Sequence, residues 1–443
     1  MSKKAISNTA AAVIIVVIVI VAAVGVYLAT RPGAPPIPGE FEISALTVSP
    51  SSVTWGETVT ISVDVQNTGE TEVTENIPIV LNDVVNLTKT ETLAANETKT
   101  VTFPVSNGTY TAPGTYTVTV PGTTLTDTFT VEARAHVGLV LATGGLGDKS
   151  FNDISYAGVK RAEVELGIDF DYVQPQAIAE YEGYQRDFAK TGHYAIIICV
   201  GFDQADALTI VAGEYPDQSF AIVDMVVDKS NVASLLFKAN EGSFLVGVAA
   251  GMNTETDKVG FVGGMEIDLI KDFFMGYDAG AKWANPNVTV LPPVYVGGWA
   301  DPAKGKELAL GLVDLGADAI FVAAGKSGLG ALEAVNETGV TGLGVDACQC
   351  YLYPEIVASM TKRVDVAVFE MIKAAVEGTF EGGVYSGGLE EEWVGCCRLP
   401  EEEEFWEQEF EFTHTPLEAS VTDKIKDARD KIVAGEITVP SAF

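Results

Sequence analysis

The residue types most able to do chemistry are few and far apart. His136, His193 and His414 are the three histidines, and none has a spacing that would place two on one metal or in one catalytic pair. The five cysteines fall as Cys199 in an apolar run, Cys348 and Cys350 just after Asp346, and Cys396 with Cys397 in a later loop. In an oxidising exterior this pattern predicts cross-links between the two close pairs in preference to a zinc site, and leaves Cys199 as a buried thiol. Carboxylates are abundant but dispersed, without the loop-local group of acids or metal ligands that an enzyme would need. Gly144-Gly-Leu-Gly147 invites a dinucleotide reading but lacks the full Gly-x-Gly-x-x-Gly pattern. No cofactor is implied, and binding is a better expectation than catalysis.

The elements that would position any site come in three segments. The chain has 443 residues, room for roughly three domains at about 150 each. Against 27 Lys and Arg stand 61 Asp and Glu, a formal charge of −34. A field of that sign repels polyphosphates, so no nucleic-acid partner is expected.

Residues 1–40 form the first segment. Ala10 to Thr30 is uncharged, rich in Val, Ile and Ala, preceded by Lys3 and Lys4 and followed by Arg31 and Pro32, Pro35, Pro36 and Pro38. The run is long enough to span a bilayer and longer than the apolar core of most secretory signals. It predicts a retained transmembrane helix, with the lysines inside and everything after Arg31 on the extracellular side of the cell membrane. Lys4-Ala5-Ile6-Ser7 ahead of it resembles the processing site of archaeal pilin-like signals. Sequons at Asn86, Asn96, Asn107, Asn287 and Asn336 agree with an external location.

Residues 41–134 form the second segment, dominated by Thr and Val. Val59, Ile61, Val63 and Val65 alternate with polar residues, as do Tyr116, Val118 and Val120, the period of strands with one buried face. Turn signals at Asn67-Thr68-Gly69, Ser106-Asn107-Gly108 and Pro113-Gly114 complete the pattern of an antiparallel, all-β immunoglobulin-like sandwich of about seven strands. Val65-Gln-Asn-Thr-Gly-Glu70 and Ala112-Pro-Gly-Thr-Tyr-Thr-Val118 resemble CARDB-type domains of microbial surface proteins, which implies a spacer.

Residues 135–443 form the third segment. Apolar runs at Val137 to Ala142, Ala195 to Val200, Phe220 to Val223, Val259 to Val262 and Ala319 to Ala323 alternate with helical stretches. Such runs predict parallel strands buried on both faces, and the length predicts two α/β lobes with a cleft. Thr143-Gly-Gly-Leu-Gly-Asp-Lys-Ser-Phe-Asn-Asp153 directly after the first run resembles the opening signature of the BMP family, the basic-membrane-lipoprotein or PnrA-like solute-binding proteins of ABC importers. The resemblance continues through Glu241 to Gly247, Val262 to Gly264, Trp299 to Glu307, Gly344 to Asp346 and Lys362 to Asp365.

That resemblance implies a type I periplasmic-binding-protein fold, a purine nucleoside or related small molecule as ligand, and an ABC permease as partner. Carried onto this chain, it implies that Phe151 and Trp299 stack on the base from opposite lobes. Thr143, Asn152, Asp224, Asp346 and Lys362 become polar contacts, and Gly325 lets the backbone approach the ligand. Each also has an architectural alternative: core aromatics for Phe151 and Trp299, turn or cap residues for Asn152, Asp224 and Asp346, a solvated charge for Lys362. An extracellular sensor or adhesion protein built on the same fold is the competing function. Near the C-terminus, Glu401 to Glu404 reads as an exposed face, and Leu417, Val421, Ile425, Ala428 and Ile432 as one face of an amphipathic helix.

Overall fold

A computed structural model describes residues 37–443 apart from 107, 111–112, 410, 411, 414 and 416. The predicted anchor, the Asn107 sequon and His414 lie outside the described residues. Among those described, no helix is long and apolar enough to cross a membrane. The chain divides into two compact units, with the boundary between Ala133 and Arg134.

The first unit holds eight strands: β1 (Phe41–Ser49), β2 (Ser52–Thr54), β3 (Val59–Asn67), β4 (Val73–Leu81), β5 (Val85–Leu93), β6 (Thr98–Val105), β7 (Gly114–Thr119) and β8 (Thr126–Glu132). They form a sheet of order β1-β3-β6 and a second of order β2-β8-β7-β4-β5. Val59, Ile61, Val63 and Val65 from one sheet and Ile77, Ile79, Leu81 and Phe129 from the other enter one core, all nearly inaccessible. Strict alternation in β3 thus gives the burial that its pattern predicts. The strand number exceeds seven because the first run breaks at Pro50: β1 pairs with β3, whereas β2 crosses to pair parallel with β8 in the other sheet. Asn67, buried at the turn after β3, donates its amide to the Thr71, Leu93 and Ala94 carbonyls and accepts from Glu40 and Gly69 N–H. One side chain there satisfies five backbone groups that burial would otherwise leave unpaired.

The second unit is two α/β lobes. Strands β9 (His136–Val140), β10 (Asp169–Val173), β11 (Tyr194–Cys199), β12 (Phe220–Val223) and β13 (Val232–Phe237) begin the first lobe. The second lobe takes β14 (Lys258–Gly263), β15 (Thr289–Val290), β16 (Val294–Tyr295), β17 (Ala319–Ala323), β18 (Thr341–Asp346) and β19 (Ile356–Lys362). The chain then returns to the first lobe for β20 (Gly383–Gly387) and ends its strands in the second with β21 (Val394–Cys396). The first sheet has order β10-β9-β11-β12-β13-β20, all parallel. The second has order β15-β14-β17-β18-β19-β21, with β16 also on β14, and only β21 runs antiparallel. Three crossings therefore join the lobes, after Phe237, after Lys362 and after Gly387.

Helices cover both sheets as parallel strands require. Helix Ala239–Asn253 packs on helix Asp268–Ala284, and Gly276 and Gly280 lie against the Asn240 and Phe244 carbonyls, where a Cβ would overlap the backbone. Glycine there lets two helices approach more closely than any side chain permits. Helix Ala419–Val433 buries Val421, Ile425, Ala428 and Ile432, four of the five residues of the predicted apolar face, and packs on helix Ala239–Asn253; Leu417 precedes the helix.

Two expectations fail. All five cysteines are buried thiols and none forms a disulfide; Cys397 turns toward Cys348 and Cys350, so the four do not face one another as two pairs. The acidic run is not simply an exposed face: in helix Pro400–Glu409, Glu402 is buried and accepts hydrogen bonds from Thr361 Oγ1 at 3.0 Å and from the inaccessible Trp406 Nε1 at 2.9 Å. A buried carboxylate is tolerated where donors replace its water.

Candidate functional site

Parallel strands present their C-terminal ends along one edge, where side chains and loop backbone can converge on a ligand. The eight residues singled out above, Thr143, Phe151, Asn152, Asp224, Trp299, Gly325, Asp346 and Lys362, all line one cavity at those ends, between the lobes. Its enclosed space is about 70 Å³, widening to about 680 Å³ when the open mouth is counted.

On the first lobe the loop after β9 is organised by its own acids. Asp148, 2% exposed, accepts from the Ser150, Asn152 and Asp153 backbone N–H groups and from Asn152 Nδ2, at 2.9 to 3.2 Å. These donors open helix Phe151–Leu166, where free N–H groups favour an acceptor. Burial pushes the Asp148 carboxyl up, and the backbone donors hold it back. Asn152 spends the rest of its amide on the Ala142 N–H at 2.9 Å, so it fixes the loop from within the cavity wall. Thr143 donates its N–H to Tyr181 at 2.9 Å, and the Tyr181 hydroxyl donates to Asp203 at 3.2 Å. Burial, then the Asp203 charge, pushes the Tyr181 hydroxyl up to about 12.

On the second lobe, Trp299 stands beside Gly264 and Gly325 and is held by its own loop. Ser327 N–H donates to the Trp299 carbonyl at 2.9 Å, Ser327 Oγ donates to the Gly298 carbonyl, and Asp301 caps helix Pro302–Asp314 through the Lys304 N–H. Gly325, at φ +53, takes the left-handed conformation its residue type tolerates and opens the next helix without a side chain over the cavity.

Lys362 closes the wall at the second crossing. It is 2% exposed, and its Nζ lies 2.6 Å from each Asp224 carboxylate oxygen. Rings of Phe151 and Phe237 surround it at 5.0 Å, and Phe273 at 5.7 Å. A solvated charge is thereby ruled out; the ammonium is a paired ion joining β19 of one lobe to the end of β12 in the other. Asp346 ends β18 at φ +64 and caps no helix. It accepts the Ser150 hydroxyl from across the cleft. Burial pushes its carboxyl up to about 6, against the pull of Lys362 and the Ser150 hydroxyl and with the repulsion of Asp148 and Asp224.

The cavity also includes Phe202, Asp203, Phe273 and Lys326, which the sequence reading did not single out. Phe202 and Asp203 follow the apolar run of β11 directly, so the strand-end rule would have found them; Phe273 sits on a helix among other aromatics and carries no such signal. Phe202 faces Trp299 edge-on at 6.5 Å. His136 and His193, distant in sequence, lie with ring centroids 3.9 Å apart, tilted by 39°, at the N-terminal ends of β9 and β11, away from the cavity.

Two α/β lobes joined by three crossings, with a cavity of aromatic and paired polar groups at the strand ends, have the architecture of a solute-binding protein. Residues 135–442 match the family model Bmp, ABC transporter substrate-binding protein PnrA-like, and the chain belongs to that family. It is therefore a substrate-binding component of an ABC transporter and not an enzyme. An ABC transporter solute-binding protein from Aeropyrum pernix K1 shares 31% identity and a TM-score of 0.61 over 69% of this chain and 94% of its own. The ABC transporter nucleoside-binding protein BmpA of Lactococcus lactis is 30% identical over 70% of this chain and 90% of its own length. An uncharacterized lipoprotein of Pyrococcus abyssi is 35% identical over 64% and 74%.

Proposed function

We propose that the chain captures a purine nucleoside outside the cell and delivers it to an ABC permease, held at the membrane by the Ala10 to Thr30 segment, with residues 41–134 as a CARDB-like spacer. The observation that carries the ligand is the make-up of the cavity wall. Phe151 from one lobe and Trp299 from the other offer the flat faces on which a base stacks, for roughly 1–3 kcal/mol each. Asp148, Asp203, Asp224 and Asp346 outnumber Lys326 and Lys362, with no arginine in the wall. Carboxylates accept from ribose hydroxyls and base N–H groups, and repel a phosphate. That charge balance favours a nucleoside over a nucleotide. The nucleoside-binding relative in Lactococcus lactis supports the same class.

Calorimetry on the full chain tests this with adenosine, guanosine and inosine against their monophosphates, free ribose and amino acids. Saturable binding of a nucleoside, weakened at least tenfold by a 5′-phosphate, is expected. Preference for the monophosphate, or for an amino acid or sugar, would reject the reading.

A further inference from the structure

At the loop just after Asp346, three cysteines from two distant segments converge. Cys348 and Cys350 follow β18, and Cys397 follows β21. Their sulfur atoms lie within 4.8 Å of one another, all buried, and Cys350 Sγ is 3.7 Å from Cys397 Sγ. Sulfurs held about 2.3 Å from a shared ion stand roughly 3.8–4.0 Å apart, a spacing the Cys350–Cys397 pair already has and Cys348 needs to move by less than about 1 Å to reach. Cys199 and Cys396 are as deeply buried but lie outside the group, so burial alone does not bring thiols together.

The surroundings suit an anionic centre. The Ser359 N–H donates to Cys397 Sγ at 3.2 Å, and Ser359 Oγ in turn accepts from the Gln349 N–H at 2.9 Å. Backbone donors to sulfur are the outer shell that orients thiolate ligands. Arg398, 5% exposed, adjoins Cys397; its positive charge acts on Cys350, and its buried Nε–H has no hydrogen-bond partner. Its Nη1, also buried, lies 3.1 Å from Glu403.

We propose that Cys348, Cys350 and Cys397 bind a thiophilic d10 metal ion, Zn²⁺, which ties the loop after Asp346 to the edge strand β21. All-sulfur donors select such ions over Mg²⁺ or Ca²⁺. Binding releases the thiol protons to solvent. Zn²⁺ with three thiolates carries one net negative charge beside Arg398, whereas Cu⁺ would carry two, and the smaller buried charge is favoured. The tie fixes the segment that carries Asp346, already steadied by Gln349, whose amide accepts from Val345 N–H at 3.0 Å and donates to the Lys149 carbonyl at 2.9 Å.

The test uses the full chain in detergent, reduced with a phosphine, stripped by chelator and equilibrated in parallel with Zn²⁺, Cu⁺ or Mg²⁺. One equivalent of zinc per chain by mass spectrometry of the metal is expected, with a higher melting temperature. Since burial already protects all five thiols in the folded chain, alkylation is followed in mild denaturant, where zinc should slow modification of Cys348, Cys350 and Cys397 but not of Cys199 and Cys396, a readout that needs no variant. Cys397→Ser should lose the zinc and Cys199→Ser should keep it. The proposal is overturned by absence of bound zinc, by copper bound in its place, by zinc that survives Cys397→Ser, or by a Cys350–Cys397 disulfide in chain isolated without reductant.

Discussion

Asp148 on the first lobe and Asp346 on the second are carboxylates buried at the same cavity, and burial pushes both upward. Their surroundings differ in kind. Asp148 is met by three backbone N–H groups and an amide that belong to its own loop. Asp346 meets a hydroxyl of the opposite lobe and the field of Lys362, and it stays poised at about 6. The loop after β9 thus spends Asp148 on holding its own shape, while Ser150 of that loop and Asp224 after β12 reach across the cleft. The second lobe presents groups whose partners come from across the cleft, so their energies depend on whether the cleft is closed or filled.

The harshest way to break this comparison is at Lys362, the paired ion between the lobes. Lys362→Met leaves the Asp224 carboxylate, 4% exposed, without its ammonium. Removing one partner of a buried pair costs about 3–5 kcal/mol, more than the net worth of the pair. Chemical unfolding should show that loss, and adding Asp224→Asn should recover most of it. If the single and double variants were equally destabilised, the pair would be incidental to how the lobes meet.

A smaller effect belongs to Asp346. Its folded carboxyl keeps a proton up to about pH 6, whereas an unfolded one gives it up near 3.8. Between those values the folded state binds more protons, so stability from this group falls as pH rises through the window. The shift of roughly two units corresponds to about 3 kcal/mol. Asp346→Asn removes the dependence, so the variant should gain on the parent by about that much between about pH 4 and about pH 7. A gap between the two proteins that stays constant with pH would show that the carboxyl is not poised as described.

Trp299→Ala comes next and touches the ligand rather than the fold. Losing one stacking face should weaken nucleoside binding by about 1–3 kcal/mol, roughly 5- to 150-fold, with the melting temperature nearly unchanged because the indole is only half-buried. Phe151→Ala should cost as much in binding but also some stability, since that ring faces the Lys362 ammonium at 5.0 Å. Calorimetry and melting on the two variants separate a purely ligand-facing aromatic from one that serves both purposes.

How far each feature was legible follows from the range of its cause. β11, β12, β14 and β17 announced themselves because strands buried on both faces need uninterrupted apolar runs. β10 and β20 did not, since edge strands such as Asp169–Val173 are mostly exposed and carry polar residues. All eight proposed site residues reached one cavity because motif order preserves position along a fold. Their roles were less legible: Asn152 and Lys362 find partners remote in sequence or across the cleft, and no local pattern encodes such partners. The cysteine triangle and the burial of Glu402 share that limit, being set by where β21 returns to the second sheet.

The smallest expected effect is at Thr143, and it sharpens the comparison most directly. If the first lobe contributes mainly shape, the part of Thr143 that matters is its backbone N–H, which Tyr181 accepts and relays to Asp203. Thr143→Val keeps the bulk and the N–H and removes only the hydroxyl. A hydroxyl at the margin of a wall already rich in acceptors is worth at most one ordinary hydrogen bond, about 0.5–1.5 kcal/mol. Nucleoside affinity should therefore fall by no more than about tenfold, and Tyr181→Phe should cost more, because it removes the group that joins Thr143 to Asp203. Should Thr143→Val instead weaken binding as much as Trp299→Ala, the first lobe would be reading the ligand through its side chains, and the division between a shaping face and a responsive face would fail.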